Sequence, residues 1–516
     1  MKHGALANGL AAFLLTAACG TAQVHYFEDG RPWSQRAGGG PDKDVDGWFY
    51  NLGETGLRVE LVPDAPTHLV VRHVFAGSPA QRRIKVGDHI VGANGQAFGT
   101  PHENGYGMKV FGPKGPIADF AKALEYAQTA AGKGQLQLSV QRDGGKDGKG
   151  SIDSLRLKVS RKLGSYAATF PTDCAKTERV LDKLLPWLAE QQRQDGSWGS
   201  PPHSLFAPLA LMASGDRRYR KAIERCARFH ARTTKAKDHD GLINWRYAAA
   251  GLMLSEYYLQ TGDRWVQKEL EEIRDFLLHS QYTHIDQLHP QALESHPDAV
   301  PKQPQDSIGG WGHNPGFEGY GPIAMLTGQG AAALAMMRHC GIDVPRERLD
   351  LAFDFLARGT GANGYVWYGD DAASDTDWAD PGRTGAAGVA NWLCPYDQGE
   401  HRERALQHAR CIGAHPLSFP DTHGSPTMGM VFAAMAAHLA DSKSFAALMD
   451  ANRWWFTLAR CQDGTFYYQP NRDNAGYGDD SRLSASAAVA LILSLPKRSL
   501  YLSGKSLPQT AGKAGR

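Results

Sequence analysis

The chain has 516 residues, which is enough for two or more domains with sizeable cores. Its 56 Lys and Arg against 54 Asp and Glu give a formal net charge of +2. Because no basic run stands out ahead of the C-terminal tail, the composition does not imply nucleic acid as a partner.

Residues 1–22 are typical of a secretory signal peptide, with a basic start, an apolar stretch through Leu15 and small residues at Ala18 and Ala22. This stretch is short for a membrane span, and no later apolar run reaches about 18 residues. We therefore expect a secreted or periplasmic protein without a transmembrane segment. Cys19 weakly resembles a lipoprotein cleavage site, so a lipid anchor is the less favoured alternative.

The sequence next predicts a linker and a small, mostly-β domain. Residues 23–44 are polar and rich in Gly and Pro, as linkers are. Residues 45–163 contain short runs typical of strands, such as LRVELV at 57–62 and the alternating QLQLSVQRDG at 135–144. The segment DFAKALEYAQTAA at 119–131 predicts one amphipathic helix.

This domain resembles bacterial PDZ domains. The resemblance is carried by GSPA at 77–80, VGDHIV at 86–91 and the Asn-Gly pair at 94–95, in matching order and spacing. It implies that a peptide or a protein C-terminus binds as an added strand, with its carboxylate held by backbone N–H groups of a loop. The loop residues that match are Leu52, Gly53, Glu54, Thr55, Gly56 and Leu57.

Two features of the sequence argue for caution about peptide binding. Glu54 would oppose an anion unless its side chain points away, and residues 100–116 form an insert that could cover the groove. The alternative is a PDZ domain that packs on its neighbour and binds no peptide.

From Cys174 the spacing of the apolar residues changes from two to three and four. A charged amphipathic helix, a Gly-rich turn and an apolar helix rich in Ala and Gly form a cassette that occurs six times within residues 164–504. Helices without a polar face must be buried on all sides. The pattern predicts an inner ring of apolar helices inside an outer ring, which is an (α/α)6 toroid, with an open solenoid as the alternative. Residues 505–516 predict a flexible tail.

The first turn, QQRQDGSWG at 191–199, resembles the Gln-Trp motif of triterpene cyclases, and QDGTF at 462–466 is a partial second copy. In that family the motif ties an outer helix to the next inner helix. The resemblance implies a structural role, in which Gly196 ends the helix, Trp198 covers the core and Gln192 binds helix-end groups. A PDZ domain followed by such a toroid resembles an uncharacterised family of secreted bacterial proteins, and this resemblance implies no established activity.

All six turns precede an inner helix, so we expect them at one rim of the ring, where helix N-termini favour polar or anionic ligands. Aromatic and polar residues in these turns suit a glycan, because sugar rings have apolar faces and many hydroxyl groups. The residues predicted to bind the ligand are Trp245, Trp311, Trp367, Tyr368, Trp378, His423 and Tyr467.

Candidate catalytic residues lie in the same turns. Asp377 or Asp380, together with Asp480, could share the acid and base roles of a glycoside hydrolase. His313 or Tyr320 could act as the base of a polysaccharide lyase. For Asp380 and Asp480 the alternative is ordinary helix capping.

The remaining alternatives are a binding scaffold without activity and a terpenoid cyclase or prenyltransferase. The latter is disfavoured because Asp375-Thr376-Asp377-Trp378 lacks the last carboxylate of an Asp-x-Asp-Asp motif and no convincing set of zinc ligands is present. The six cysteines after Cys19 are scattered without a C-x-x-C pair, so no metal site and no cofactor are expected.

Overall fold

A computed structural model describes residues 48–62, 64–102, 114–142, 151–199, 201–235, 241–420, 426–469 and 481–506. The predicted signal peptide and linker lie outside these residues, and so does the tail from residue 507 onwards. Among the helices that are described, none combines the length and the apolar character that crossing a membrane requires.

The N-terminal domain is an antiparallel sheet with the strand order β1-β2-β3-β4-β6-β7, and β5 pairs with β4. The strands are β1 (Trp48–Asn51), β2 (Leu57–Leu61), β3 (Leu69–Val74), β4 (His89–Ala93), β5 (Gln96–Ala97), β6 (Gln135–Arg142) and β7 (Ser151–Lys158). Helix α1 (Pro116–Ala127) packs on β4 and β6 through Phe120 and Leu124. Strand β6 buries every second residue, as its alternating sequence predicts.

The rest of the described chain is helical. Its helices are α2 (Ala175–Glu190), α3 (Pro201–Ala213), α4 (Arg220–Thr233), α5 (Ile243–Thr261), α6 (Trp265–Ser280), α7 (Pro290–Ser295), α8 (Ala324–His339), α9 (Arg346–Arg358), α10 (Pro381–Leu393), α11 (Gln398–Ala414), α12 (Pro426–Ala440), α13 (Ser442–Ala451), α14 (Arg453–Leu458) and α15 (Ser481–Ser494).

Helices α3, α5, α8, α10, α12 and α15 form a closed inner ring, because each contacts the next and α15 contacts α3. Small residues allow this close approach: a Cβ atom at Gly385 of α10 would lie 2.4 Å from the backbone of α12. Helices α2, α4, α6, α9, α11 and α13 bury one face against the ring. The predicted (α/α)6 toroid is confirmed, and the open solenoid is wrong because the ring closes.

The C-terminal segment covers one end of the ring. Glu256, near the C-terminal end of α5, is fully buried and accepts hydrogen bonds of 3.0 Å from the backbone N–H groups of Tyr501 and Leu502. Gln260 of the same helix donates to the Ser499 carbonyl at 2.8 Å. The end of the ring that the six turns form lies opposite this covered end.

Four of the six turns share one arrangement of the backbone. Each contains a glycine with a positive φ, and two residues later a backbone N–H donates to a hydroxyl group of the following inner helix. The glycines are Gly196 (φ 93°), Gly309 (98°), Gly364 (87°) and Gly464 (94°). The hydrogen bonds are Trp198 N to Ser204 Oγ (3.0 Å), Trp311 N to Thr327 Oγ1 (3.1 Å), Val366 N to Thr384 Oγ1 (3.0 Å) and Phe466 N to Ser486 Oγ (2.9 Å).

Side chains strengthen the first of these turns. The Trp198 indole N–H donates to the Leu188 carbonyl at 2.7 Å. Gln192 Nε2 donates to the carbonyls of Gly196 (2.9 Å) and Ala222 (2.7 Å), and so joins the end of α2 to the turn and to α4. These contacts are those of a structural turn, as the sequence predicts for QDGSWG.

The third turn repeats the same contacts. The Trp311 indole N–H donates to the Leu277 carbonyl at 2.9 Å, and Gln281 Nε2 donates to the carbonyls of Gly309 (2.8 Å) and Arg348 (3.0 Å). Gln281 and Gly309 are 28 residues apart, whereas Gln192 and Gly196 are four apart. Because of this insertion, the sequence alone does not reveal that the third turn repeats the side-chain contacts of the first turn.

The turn glycines should be intolerant of any side chain. A Cβ atom at Gly309 would lie 1.9 Å from the Leu351 carbonyl oxygen, whereas one at Gly215, also at positive φ (70°), would meet nothing within 4 Å. We expect Gly215→Ala to cost about 1 kcal/mol through its backbone strain. Gly309→Ala should cost a further 1–3 kcal/mol, roughly, through overpacking. Urea unfolding of both variants measures the difference, and equal losses would contradict this account of the turn.

Buried histidines should make the toroid sensitive to acid. Burial lowers the pKa of His230 and of His408 to about 4, while His408 Nδ1 donates to the Gly364 carbonyl at 2.8 Å. A histidine in the unfolded chain binds its proton near pH 6.5, so this stability is present above that pH and is lost as the pH falls towards 4. The thermal midpoint should therefore decrease over this range. His408→Gln keeps an N–H donor without a titrating group, so its midpoint should decrease less, and parallel curves for variant and wild type would argue against the mechanism.

Candidate functional site

The rim formed by the six turns is the candidate site. An outer helix returns the chain between successive inner helices, so the inner helices run in one direction and the turns lie at one end of the ring. Exposed large apolar side chains occur in these turns, including the long third turn. They are Leu242, Ile285, Leu293 and Trp367, among seven such side chains in the described part of the chain. Exposed apolar side chains of this kind are available for contact with a ligand.

The structure brings Trp245, His313 and Tyr320 into one chain of contacts. Trp245 lies in the first turn of α5, and its indole N–H donates to His313 Nδ1 at 2.8 Å. His313 Nε2 contacts the Tyr320 hydroxyl, and the two rings lie 5.3 Å apart, edge to face. The neighbouring Asn244 holds the segment that carries His313, because its side-chain amide donates to the Gly312 carbonyl at 2.8 Å.

These contacts assign the tautomer of His313. Nδ1 accepts a hydrogen bond from the Trp245 indole, so it carries no proton, and a neutral imidazole must then carry its proton on Nε2. Nε2 therefore donates to the Tyr320 oxygen. Burial lowers the pKa of His313, while Glu318 opposes this shift. A neutral His313 thus leaves the Tyr320 hydroxyl proton free to hydrogen-bond to a ligand.

More side chains continue this line along the rim. The ring of Tyr320 lies 5.6 Å from His296 and 5.9 Å from Tyr368. The Arg383 guanidinium, in the first turn of α10, lies 5.6 Å from the Tyr368 ring. Reasoning from the sequence missed Arg383, and it weighed His296 only as part of a weak metal-site alternative in a long loop. His296 comes from a long turn whose path the sequence does not reveal, although an arginine at the start of an apolar inner helix was a usable signal for Arg383.

Asp380 is the predicted catalytic carboxylate that the structure describes most fully. Its Oδ2 atom pairs with Arg383 NH1 at 3.0 Å, and both side chains are only 10% exposed. It occupies the N-cap position of α10 but makes no capping hydrogen bond through its side chain. The carboxylate is thus held in a buried ion pair, and its role as an acid or base stays a prediction. The side chain does not make the hydrogen bond that the capping alternative requires.

The structure describes the other predicted acids only in part. Asp377 is half-buried, and its backbone carbonyl accepts a hydrogen bond of 2.8 Å from Asn363. Asp480 lies outside the described residues, as does His423. The roles of these three residues stay predictions.

The predicted ligand-binding aromatic residues divide into two groups. Trp311 is 0% exposed and Tyr467 is 1% exposed, so neither can contact a ligand at the rim, and these two predictions are corrected. Trp378 is stacked on His415 with ring centroids 5.1 Å apart. Trp367 is 40% exposed, while Trp245 and Tyr368 are half-buried beside the His313–Tyr320 pair. These last three residues remain available as a binding surface.

The predicted carboxylate loop is buried against the toroid. All six of its residues, 52–57, are buried. A Cβ atom at Gly53 would lie 2.6 Å from the Thr457 carbonyl of α14. Glu54 accepts a hydrogen bond of 2.8 Å from Gln128 and lies 3.6 Å from Arg460. The geometry agrees with the alternative in which this domain packs on its neighbour, and peptide binding by the loop stays a prediction. Residues 103–113 of the insert lie outside the described residues.

Within the described ranges, no group of three or more His, Cys, Asp or Glu side chains is placed to hold a metal ion. The six cysteines that the structure describes are all buried and free. Burial raises the pKa of the Cys340 and Cys411 thiols to about 12, so these thiols are inert as nucleophiles.

Solved structures similar to this chain include three from different organisms. An α-1,6-mannanase, GH76A, from Salegentibacter sp. HEL1_6 has a TM-score of 0.46 and 12% identity, covering 62% of this chain and 98% of that one. The type II terpene cyclase MstE from Scytonema has a TM-score of 0.38 and 12% identity, covering 63% and 98%. The Lin0763 protein from Listeria innocua has a TM-score of 0.44 and 10% identity, covering 62% and 96%. The ring of helices described above is established by the contacts within this chain and does not depend on these similarities.

Comparison of the sequence with known families supports both domains. No curated protein matches the chain. Residues 50–102 match the PDZ domain family. Residues 177–504, which span the whole helical ring, match the family described as "Domain of unknown function (DUF6288)". The chain is thus a member of the DUF6288 family that carries a PDZ domain ahead of an (α/α)6 toroid.

Proposed function

We propose that the rim of the toroid binds an acidic glycan and that Tyr320, oriented by His313, cleaves it by elimination, as a polysaccharide lyase does. The observation that carries this proposal is the chain of contacts from the Trp245 indole through His313 to the Tyr320 hydroxyl. In this arrangement the neutral His313 side chain donates a hydrogen bond to the Tyr320 oxygen. A glycan outside the cytoplasm also agrees with the predicted signal peptide.

The reaction needs one proton to move between two positions of the substrate. A Tyr320 phenolate, stabilised by the Nε2–H of His313, removes the proton from the carbon next to the carboxylate of a uronate residue. The carbon–carbon double bond forms as the neighbouring carbon–oxygen bond breaks. The proton on Tyr320 then passes to the departing glycosidic oxygen, so the phenolate is regenerated.

The surroundings of Tyr320 suit such a substrate. Trp367 and Tyr368 offer aromatic faces on which sugar rings stack, and Trp367 is 40% exposed. Arg383 lies in the same cluster, 5.6 Å from the Tyr368 ring and 5.8 Å from the Trp367 ring. Its side chain is only 10% exposed and its charge is paired with Asp380 at 3.0 Å, so it supports the aromatic rings and does not offer an unpaired charge to the uronate. The pairing of Asp380 with Arg383 argues against hydrolysis through Asp380.

Removal of the Tyr320 hydroxyl should abolish cleavage. We expect Tyr320→Phe to lower the rate by roughly 100-fold or more, the usual contribution of a general acid or base. Tyr396→Phe, beyond the C-terminal end of α10 and therefore away from the rim, is the matched control and should keep the wild-type rate. The measurement is mass spectrometry of products from a panel of uronate-containing polysaccharides. Unsaturated oligosaccharides support the proposal. Saturated products that persist in Tyr320→Phe would favour hydrolysis and overturn it.

The tautomer of His313 can be tested without any substrate. In the wild type, NMR of the imidazole nitrogens should show the proton on Nε2 and a pKa below 6.5, because burial disfavours the charged form. Trp245→Phe removes the donor to Nδ1, so this nitrogen can accept a proton without losing a hydrogen bond, and the pKa should rise. A proton on Nδ1 in the wild type would contradict the proposed role of His313.

A further inference from the structure

Strand β1 occupies the edge of the sheet on which a PDZ domain takes its ligand. The predicted carboxylate loop precedes β2, and β1 pairs with β2 in antiparallel register from Trp48 opposite Leu61 to Asn51 opposite Arg58. PDZ ligands bind by adding an extended strand to the sheet, with their C-terminal carboxylate held by this loop. Strand β1 also lies against β2 with its C-terminal end at the loop, so it takes the position and direction of a ligand.

The loop is already engaged by the chain itself. Where a free peptide would end in a carboxylate, β1 continues through Asn51 into Leu52. The Leu52 N–H donates to the Leu57 carbonyl at 2.8 Å, and the Gly56 N–H donates to the Gly53 carbonyl at 3.3 Å. Two backbone N–H groups of the loop are therefore used within the loop and are not offered to a carboxylate.

Strand β1 and the loop are held in place by the toroid. Tyr50 of β1 is 0% exposed, and its ring lies 6.3 Å from Trp454 of α14. The Asn51 N–H donates to Gln469 Oε1 at 3.0 Å. Helix α14 also packs on α1. The ligand edge of the domain thus faces the helical ring and is filled by the chain itself.

Gln469 connects strand β1 to the sixth turn of the rim. It follows Tyr467 and Tyr468 in the sixth turn, and its carbonyl accepts a hydrogen bond of 2.8 Å from the Trp455 indole of α14. The same residue therefore contacts both β1 and α14. A change in the position of β1 removes the contact of Gln469 with Asn51 and acts on the turn that leads to α15.

We propose that β1 is an internal ligand of the PDZ domain, which an external C-terminal peptide replaces, and that this exchange releases Gln469 in the sixth turn of the toroid. The replacing peptide must fill the sites that β1 now fills. Phe49 and Tyr50 are both buried, so the partner carries large aromatic residues just before its C-terminus, followed by a small polar residue in the place of Asn51. The proposal does not depend on the glycan reaction.

A disulfide that pins β1 to β2 tests the exchange directly. Phe49 and Glu60 are opposite partners in the register, so the double variant Phe49→Cys/Glu60→Cys should form a crosslink, whereas the six cysteines described in the native chain are buried. The probe is a fluorescent peptide with the sequence of residues 45–51, VDGWFYN, and a free C-terminal carboxylate. Its binding to the full chain is followed by fluorescence polarisation.

The reduced form of the same double variant is the matched control, because it differs only in the crosslink. We expect the peptide to bind the reduced variant and the wild type, and to bind the oxidised variant at least tenfold more weakly. On binding, amide hydrogen exchange in residues 455–469 should increase in the reduced variant and in the wild type, but not in the oxidised variant. Failure of the crosslink to form, equal binding by both forms, or binding by neither form would each overturn the proposal. None of these readouts uses glycan cleavage, so the two proposals fail separately.

Discussion

The toroid depends on a hydrogen bond from the backbone of each shared turn to a hydroxyl group of the next inner helix. Ser204, Thr327, Thr384 and Ser486 each accept this bond at about 3 Å, and a glycine at a φ near +90° lets the chain reach the hydroxyl. The inner helices are apolar and rich in small residues, so the contacts between them include few polar groups that set the position of each helix along its axis. The hydroxyl anchors fix each inner helix relative to the outer helix that precedes it.

The same anchor places the candidate site. In the third turn, the bond from Trp311 to Thr327 and the bond from the Trp311 indole to Leu277 hold the turn rigidly against the ring. His313 follows two residues later and therefore meets Trp245 at the start of α5. The long remainder of the turn brings Tyr320 back to His313. An aromatic residue buried for structural reasons thus positions a neighbour that belongs to the proposed catalytic pair.

Most of the fold could be predicted from the sequence, because periodicity and helix composition report directly on burial. The apolar character of α8 and α10 predicts inner helices, and QDGSWG predicts the first anchored turn. The site was harder to predict. The sequence cannot separate Trp311, which is buried, from Trp367, which is exposed, since both are aromatic residues in Gly-rich turns. It also cannot show that Arg383 forms an ion pair with Asp380, or that β1 pairs with β2, because both depend on tertiary contacts.

The central claim is that Tyr320 is the group that touches the reacting atoms of a glycan at the rim. A crystal structure of the Tyr320→Phe variant with a uronate oligosaccharide tests it most directly, since the variant should bind the substrate without cleaving it. We predict a sugar ring over Trp367 or Tyr368, with the carbon next to its carboxylate about 3–3.5 Å from the position that the Tyr320 hydroxyl oxygen occupies in the wild type. An oligosaccharide bound elsewhere on the ring, with the His313–Tyr320 region empty, would contradict it.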